Sequence, residues 1–319
     1  MDKLHLGIDT SNYTTSLSLV CDGKVLKNVR RLLPVKPGEK GLRQSDAVFL
    51  HTKALPELAE ELFCDGYVPE KLASVGVSVS PRDEVGSYMP CFLAGISFAT
   101  AVSLSHNIPM YRFSHQAGHI EAGVYSCGYG ENFCDNFLSF HVSGGTTEAL
   151  FVTHTDTTYN FEIAGGTNDA SAGQIIDRLG VRCGLSFPCG KELDRLSGSS
   201  VKKLQKSVSI KDTYFSFSGL QNKFEKYLDD GENISDVAAF LFESIGASLE
   251  KCTDRLREKY GSSLPVLFAG GVMCNSVIRN ILSKKKNVYF ASNELSCDNA
   301  CGTALLAERN YKFYMEDKA

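Results

Sequence analysis

Residues 137–153 read FLSFHVSGGTTEALFVT, and the fold that we predict for the chain starts from this stretch. An apolar run enters a turn of small residues at 143–147, and a second apolar run leaves it, which is typical of two strands joined by a tight turn. Glycine has no side chain, so a ligand can approach the backbone of Gly144 and Gly145 closely, and successive N–H groups can hold an anion. The stretch therefore predicts a strand–turn–strand unit that is either a phosphate-binding turn or an ordinary hairpin.

A second hairpin of the same kind opens the chain, where residues 4–20 read LHLGIDTSNYTTSLSLV. The two turns share the pattern Ser-x-x-Thr-Thr, which begins at Ser11 and at Ser143. Strands and helices alternate after each hairpin, and this alternation indicates a fold of the α/β class. Because a repeated hairpin indicates a duplicated domain, we predict two similar lobes, each with a mixed sheet flanked by helices, and a central cleft between them.

The predicted domain junction falls in a short connection at 109–114. It gives an N-terminal lobe at 1–113 and a C-terminal lobe at 114–298 that would carry the metal and nucleotide sites, with the last helix, 299–319, able to pack back on the first lobe. The spacing of apolar residues predicts further strands at 24–31, 72–80, 158–164, 265–269 and 288–291, and helices at 45–63, 91–105, 115–124, 235–260, 273–283 and 299–314.

Loops are predicted at 34–41 and 184–190. Helix caps are predicted at Asn168 or Asp169 and at Ser235 or Asp236.

Composition narrows the classes of protein that the chain can be. Of the 319 residues, 43% are hydrophobic, so we expect a globular core. The net charge is −4, so the chain lacks the overall positive charge that would indicate binding to nucleic acid. Lysine clusters at 202–211 and 284–286 are either local nucleic-acid patches or solvated faces. The 11 cysteines form no Cys-x-x-Cys pair, although Cys297 and Cys301 are expected to lie one helical turn apart. Without a signal peptide or a membrane-spanning run, we predict a cytoplasmic protein with reduced thiols and no membrane contact.

His115 and His119 have the spacing of a metal site. At i and i+4 on a helix, both imidazoles face the same way and can bind one metal ion. The candidate for a third ligand is Asp298, which precedes the last helix. Two alternatives stay open, namely a pair of surface histidines and an aspartate that only caps a helix. A zinc peptidase of the His-Glu-x-x-His type is excluded, because Gln116 occupies the position of its Glu and Glu121 lies on the wrong side of the helix.

Two further stretches offer candidate ligand contacts. Residues 267–275 read LFAGGVMCN and indicate a strand, a double glycine and a helix, a turn that either admits a flat ring or a phosphate or only packs a helix on a strand. Asp169 and Asp177 fall on one face of one predicted helix. Either can reach a ribose hydroxyl or a metal-bound water, and either can equally be a cap or a surface charge.

These motifs together resemble the actin–hexokinase–Hsp70 class of ATP-binding folds and, within that class, the TsaD family of tRNA threonylcarbamoyladenosine synthesis. The likeness extends over nearly the whole chain. Residues 215–220, FSFSGL, match the family's Phe-Ser-Phe-Ser-Gly-Leu and are the most specific of the motifs. The other similar segments are DTS at 9–11, HQAGH at 115–119, VSGGTT at 142–147, residues 169–177, AGGV at 269–272 with Asn275, and CDN at 297–299.

The resemblance implies one divalent metal ion, iron or zinc, and one nucleotide, either ATP or an adenylate. The residues that it assigns to the metal are His115, His119 and Asp298. The residues that it assigns to the nucleotide are Ser143, Gly144 and Gly145 for the phosphate, and Asp177, Gly190 and Asn275 for the nucleoside. The implied reaction transfers a threonylcarbamoyl group from its adenylate to the amino group of adenine 37 of tRNA. The metal would act as a Lewis acid, and proteins similar to TsaB and TsaE would be partners.

The chain departs from the family pattern at several polar positions. Tyr13 and Thr14 stand where the family has an acidic pair, Asp-Glu. Ala117 replaces a Glu, and Thr146 replaces a His. No residue is assigned a catalytic role, and Asp9 and Thr14 are the candidates for one. Three hypotheses stay open: a TsaD-like transferase acting on tRNA, a nucleotide- and metal-binding paralogue with a regulatory role, and a carbamoyl or phosphoryl transferase with a small-molecule acceptor.

Overall fold

The computed structural model describes residues 3–11, 13–34, 42–296 and 298–316. The chain divides into two units, one formed by 1–128, 154–160 and 294–319 and the other by 129–153 and 161–293. The junction predicted after residue 113 lies inside the first unit, because the helix that follows residue 114 packs against the last helix of the chain. The candidate metal residues 115, 119 and 298 therefore belong to the first unit and not to the C-terminal lobe as predicted. Most of the predicted loop at 34–41 lies outside the described residues, and so does Cys297 with its predicted approach to Cys301.

The first unit contains a five-stranded sheet. Its strands are β1 (Leu4–Asp9), β2 (Thr14–Cys21), β3 (Lys24–Leu32), β4 (Leu72–Ser80) and β5 (Met110–Ser114), in the order β3-β2-β1-β4-β5. The pairs β1–β2 and β2–β3 are antiparallel, whereas β1–β4 and β4–β5 are parallel. The first four strands confirm the predictions. Residues 109–114 are predicted as a connection, but most of them form β5, which pairs with β4 at the edge of the sheet. The sequence of five residues does not show which strand they pair with.

The second unit contains a seven-stranded sheet. Its strands are β6 (Asn136–Val142), β7 (Thr147–His154), β8 (Tyr159–Thr167), β9 (Ile210–Lys211), β10 (Tyr214–Phe215), β11 (Val266–Ala269) and β12 (Val288–Phe290). The order is β12-β11-β6-β7-β8-β10-β9. Within it, β8-β7-β6-β11-β12 repeats the order β3-β2-β1-β4-β5 of the first unit. The predicted duplication is therefore confirmed for the sheets, and β9 and β10 are an addition to the second copy.

Helices cover both sheets. They are α1 (Gln44–Phe63), α2 (Phe92–His106), α3 (His115–Ser126), α4 (Ala172–Arg182), α5 (Gly190–Ser197), α6 (Ser218–Asp229), α7 (Ile234–Tyr260), α8 (Ser276–Leu282) and α9 (Cys301–Glu316). In the first unit, α1 packs on β2 and β3, α2 packs on β4, and α9 packs on β1 and β4. Among the described residues, none of these helices has the length and apolarity to cross a bilayer.

Several helix starts differ from the predictions. Helix α4 is capped by Ser171, whose side chain forms a capping box with Gln174, and not by Asn168 or Asp169. The long helix α7 is capped by Asn233, two residues before the predicted cap at Ser235. Helix α5 begins at Gly190, where the glycine and proline pattern of 184–190 predicts only a loop. For α4 and α7 the predicted residues are of types that often cap helices, and residue type alone does not decide which of several neighbouring candidates becomes the cap.

Close packing of α3 on α9 depends on glycine. A Cβ atom at Gly302 would overlap the carbonyl oxygen of Gly118, so only glycine at position 302 lets the two helix backbones approach this closely. On the far side of α3, the buried Glu121 carboxylate accepts hydrogen bonds from Arg309 of α9, at 2.7 and 2.8 Å, and from the Tyr159 hydroxyl at 2.5 Å. These contacts fix α3 against α9, and they account for the predicted orientation of Glu121 away from the two histidines.

Candidate metal centre and ligand cavity

The two histidines of the predicted metal site lie at the start of α3. Ser114 caps this helix, because its side chain accepts a hydrogen bond from Ala117 N at 3.1 Å. His115 is the first helical residue and His119 follows one turn later, which places the two imidazole rings 4.3 Å apart between centroids. The predicted common face of the two histidines is therefore present in the structure.

Asp298 lies just before α9 and completes the cluster. Its Oδ1 atom is 3.1 Å from Nε2 of His119 and 3.5 Å from Nε2 of His115. One ligand atom from each of the three residues lies within 4.8 Å of the others. Asn299, not Asp298, bonds the first N–H group of α9, since its Oδ1 accepts from Cys301 N at 2.9 Å. Asp298 is thus turned toward the histidines and does not serve the helix start.

Asp9 contacts the other nitrogen of His115. Its Oδ2 atom lies 2.8 Å from His115 Nδ1 and accepts a hydrogen bond from Ser78 Oγ at 2.6 Å. Its Oδ1 atom accepts from Ser11 N at 2.8 Å. The His115 ring therefore has one carboxylate at each nitrogen. Thr14, the other catalytic candidate of the first turn, is only 8% exposed, and its N–H donates to the Ser11 carbonyl at 3.1 Å.

The charges in this cluster shift its titration strongly. Burial lowers the pKa of His115, but the carboxylates of Asp9 and Asp298 outweigh burial and raise that pKa to about 10. Burial raises the pKa of Asp298, yet hydrogen bonds from His115 and His119 bring it well below the ordinary value. Asp9 follows the same balance, and its pKa is lowered mainly by His115 against the effect of burial. In the metal-free chain His115 holds a proton that a bound metal ion would displace.

The donor set fits a divalent metal ion. Two imidazole nitrogens and one carboxylate oxygen are ligands that zinc and iron both accept, and three protein ligands leave a position open for a substrate. With metal–ligand bonds of about 2.0 Å, ligand atoms of a tetrahedral site lie about 3.3 Å apart. The 3.1 and 3.5 Å separations at Asp298 have this length. The residues present therefore suit the predicted metal, and their geometry does not distinguish iron from zinc.

A cavity of 670 Å³ lies in the second unit, a size ordinary for a small-molecule site. Four of the six predicted nucleotide contacts line it: Gly144, Asp177, Gly190 and Asn275. Ser143 and Gly145 belong to the same turn as Gly144. The sequence therefore identifies residues from separate segments that the fold places around one cavity.

The turn at 143–147 is open toward a ligand. Ser143 N donates to Thr146 O at 2.8 Å, and Thr146 N donates to Ser143 Oγ at 3.1 Å, which closes the turn. A Cβ atom at Gly144 or Gly145 would meet no atom within 4 Å, and neither residue has a positive φ. Neither packing nor backbone conformation thus requires glycine here. In the described part of the chain, no acceptor binds the N–H groups of Gly144 and Gly145, which leaves them for an anion.

The first residues of α4 pack against this turn, and their N–H groups bond to the protein and are not available to a ligand. Gly173 N donates to Ser143 O at 3.2 Å, and a Cβ atom at Gly173 would lie 2.6 Å from Gly144 Cα. Ala172 N donates to Thr147 Oγ1 at 2.9 Å. Because these helix N–H groups are already bonded, an anion at the turn would be bound by the turn itself.

The cavity has a polar wall that the sequence reveals only in part. Asn275 caps α8 and donates from Nδ2 to Asp194 Oδ1 at 2.8 Å, while Asp194 also accepts from Ser276. Asp177 accepts from Cys189 N at 2.8 Å. Asp194 lies on α5 and lines the cavity, and the sequence does not point to it because no helix is predicted after the loop that ends at residue 190.

Asp169 lies before α4 and not on one helix with Asp177 as predicted, and it bonds a distant segment of the chain. Its carboxylate accepts hydrogen bonds from Ser216 Oγ at 2.5 Å and from Phe217 N and Ser218 N at 2.9 Å. Burial raises its pKa, but these donors bring the pKa far below its usual value. Asp169 therefore holds the FSFSGL segment, 215–220, in place.

The lysine clusters of the sequence are partly neutralised. Lys202 pairs with Glu232, and Lys285 lies 2.7 Å from Asp254. These ion pairs agree with the clusters being solvated surface faces.

Solved structures of other proteins share the fold of this chain. HypF from T. kodakarensis aligns over 99% of this chain and 48% of its own, with a TM-score of 0.64 and 11% identity. A ROK family glucokinase from Streptomyces griseus aligns over 96% of this chain and 99% of its own, with a TM-score of 0.53 and 13% identity. At such identities the likeness shows the fold alone, and it confirms the predicted actin–hexokinase–Hsp70 class.

Sequence comparison then gives the family. The TsaD family model, described as tRNA N6-adenosine threonylcarbamoyltransferase, matches residues 37–305. Relatives of that name from Kosmotoga olearia and Carboxydothermus hydrogenoformans are each 30% identical to the chain. The two alignments cover 96% and 100% of this chain and 93% and 94% of the relatives. The chain belongs to the TsaD family, as its motifs predicted.

Proposed function

We propose that the chain is a metal-dependent transferase that moves a threonylcarbamoyl group from threonylcarbamoyl-AMP to the amino group of adenine 37 in tRNA. Its relatives are named tRNA N6-adenosine threonylcarbamoyltransferase. The observation in this chain that supports the proposal is the trio of His115, His119 and Asp298, whose ligand atoms lie within 4.8 Å of one another. Gathering such donors in a half-buried site costs desolvation energy, which a bound iron or zinc ion would offset.

The reaction forms one C–N bond and breaks one C–O bond. The adenine amine attacks the carbamoyl carbonyl carbon, AMP leaves with the electron pair of the broken bond, and the attacking nitrogen loses one proton. A metal ion bound to the trio supplies Lewis acidity. The leaving AMP gathers negative charge on its phosphate, and the N–H groups of Gly144 and Gly145 are the donors that the chain offers to that charge.

We assign the nucleoside of the adenylate to the cavity of the second unit. Its 670 Å³ suits a nucleotide, and Asp177, Gly190 and Asn275 line it together with Gly144. The Asp177 and Asn275 side chains are held by hydrogen bonds to Cys189 N and Asp194, so polar groups around the nucleoside would be oriented before it binds.

The proposed transfer involves a tRNA acceptor and partner proteins similar to TsaB and TsaE, and we place it in the cytoplasm, where tRNA is modified. Helix α2 supports a protein partner, because Leu93 and Leu104 on it are 46% and 77% exposed. The two leucines are 11 positions apart, which is about three helical turns, so they lie on the same face of α2 and can contact one partner surface.

The test is threonylcarbamoyl transfer from the synthetic adenylate to unmodified tRNA, with the partner proteins added. We expect transfer by the unaltered chain and a loss of at least about 100-fold in His119→Ala, because the substitution removes a metal ligand. His154→Gln, a histidine outside the trio, serves as the matched control and is expected to keep the activity.

Two outcomes would count against the proposal. Full activity in His119→Ala would show that the trio does not serve the reaction. No transfer by an unaltered chain that still binds metal and AMP would instead favour the regulatory paralogue or a different acceptor.

A further inference from the structure

We propose that Asp9 is a positioning residue for the metal centre, which fixes the tautomer and the orientation of His115 through a hydrogen bond to Nδ1. The inference rests on the proposed metal site, and it goes beyond that site because Asp9 is not itself placed among the ligands. It also replaces the catalytic role that the sequence suggests for Asp9 with an indirect one.

The contacts of Asp9 leave it only one chemical role. A carboxylate can only accept hydrogen bonds, so the 2.8 Å contact between Asp9 Oδ2 and His115 Nδ1 requires the proton to sit on Nδ1. In a neutral imidazole this leaves the lone pair on Nε2, the atom that faces Asp298 Oδ1 at 3.5 Å. Asp9 therefore selects the form of His115 that can bind a metal ion within the trio.

Asp9 is itself rigidly held. It ends β1 in the centre of the sheet, and it is 1% exposed. Ser78 Oγ donates to its Oδ2 atom at 2.6 Å, and Ser11 N donates to its Oδ1 atom at 2.8 Å. With three donors around two oxygens, the carboxylate cannot rotate without breaking a buried hydrogen bond, and the imidazole that it holds is fixed as well.

The same contacts make Asp9→Asn an informative substitution. An amide has one accepting oxygen, whereas the site presents donors to both ends of the side chain. If the oxygen faces His115 and Ser78, the NH₂ group meets the N–H of Ser11, and if it is turned, the NH₂ group meets Nδ1 of His115. We expect Asp9→Asn to weaken zinc binding by about 10- to 100-fold, the usual cost of losing such an outer contact.

The experiment measures the affinity of the purified chain for zinc alone, by competition with a chromophoric chelator. Asp9→Glu keeps the carboxylate, and we expect it to recover most of the affinity that Asp9→Asn loses. The matched control is Asp83→Asn, because Asp83 also bonds the start of α3, at 2.6 Å from Ser114 Oγ, but contacts no histidine. Its zinc affinity should stay within about twofold of the unaltered chain.

A spectroscopic measurement covers the case in which Asp9→Asn fails to fold. With ¹⁵N-labelled histidine, the zinc-loaded unaltered chain should show His115 protonated at Nδ1 and metal-bound at Nε2. Protonation at Nε2 would overturn the inference, and so would undiminished zinc affinity in folded Asp9→Asn. If the unaltered chain binds no more zinc than His119→Ala, the proposed metal site itself is wrong, and the two failures are thereby distinguished.

Discussion

Asp298 Oδ1 lies 3.1 Å from His119 Nε2, although 179 positions separate the two residues in the chain. The contact exists because α3 and α9 lie side by side, each with its first turn at the metal centre. The metal centre therefore depends on helix packing as well as on the three ligands.

The first prediction concerns the glycine between these helices. Gly302→Ala should lower the free energy of unfolding by about 3 kcal/mol and weaken zinc binding, because the added methyl overlaps the Gly118 carbonyl and pushes α9 away from α3. Urea denaturation and zinc competition measure the two effects. Gly219→Ala in α6 is the control, since its Cβ would meet nothing within 4 Å, and it should be neutral or stabilise by up to about 1 kcal/mol. Unchanged stability in Gly302→Ala would contradict the packing described.

The second prediction concerns pH. In the metal-free chain the pKa of His115 is raised to about 10, whereas an unfolded histidine has a pKa of about 6.5. The folded state binds this proton more tightly, so the stabilisation is complete below pH 6.5 and is lost as the pH rises toward 10. We expect the difference in free energy of unfolding between the chelator-treated chain and His115→Gln to shrink over this range. A difference that is independent of pH would speak against the charged cluster.

The third prediction concerns the phosphate turn. Gly144→Val should reduce the affinity for AMP by at least about tenfold, because the side chain would occupy the space left for the ligand. The melting temperature should barely change, since the site has no packing neighbour for a Cβ and no positive φ. The chain contains no Trp, so Phe187→Trp, at a cavity-lining residue that is 73% exposed, gives a single fluorescent reporter of binding. Equal AMP affinity with and without Gly144→Val would exclude the turn as the phosphate site.

The fourth prediction concerns the FSFSGL segment. Asp169→Ala should cost about 1–2 kcal/mol of stability, because three backbone N–H groups and two hydroxyls lose their acceptor in a partly solvated site. Asp135→Ala, an exposed aspartate, should change stability by less than about 0.5 kcal/mol. Thermal denaturation of the two variants side by side measures the difference, and equal melting temperatures would mean that Asp169 does not hold the segment.

Local patterns predict much of this fold. The strands of both hairpins follow from apolar runs around small-residue turns, and the shared face of His115 and His119 follows from the helical period. The small residues at 143–147 likewise predict a turn with an accessible backbone. The double glycine predicts a turn as well, but its two residues differ: Gly270 has a φ of +99° and packs against the Val142 carbonyl, and Gly271 lines the cavity. These features are encoded within a few neighbouring residues, so the sequence is sufficient to find them.

The features that the sequence does not reveal depend on contacts between distant segments. Strand β5 is defined by its pairing with β4, and α5 by the packing of its buried Leu193, not by a local signal. The hydrogen bond from His115 to Asp9 joins residues 106 positions apart, and that from Asn275 to Asp194 joins residues 81 apart. Neither pair has a fixed spacing that a motif could express.

The most direct test of the metal centre is the metal content of the chain purified without chelator, compared with that of His119→Ala, Asp298→Ala and His106→Ala. We expect about one iron or zinc ion per chain in the unaltered protein and in the His106→Ala control, and about a tenth of that or less in the two ligand variants. Equal metal content in all four proteins would contradict the central claim that His115, His119 and Asp298 form a metal site.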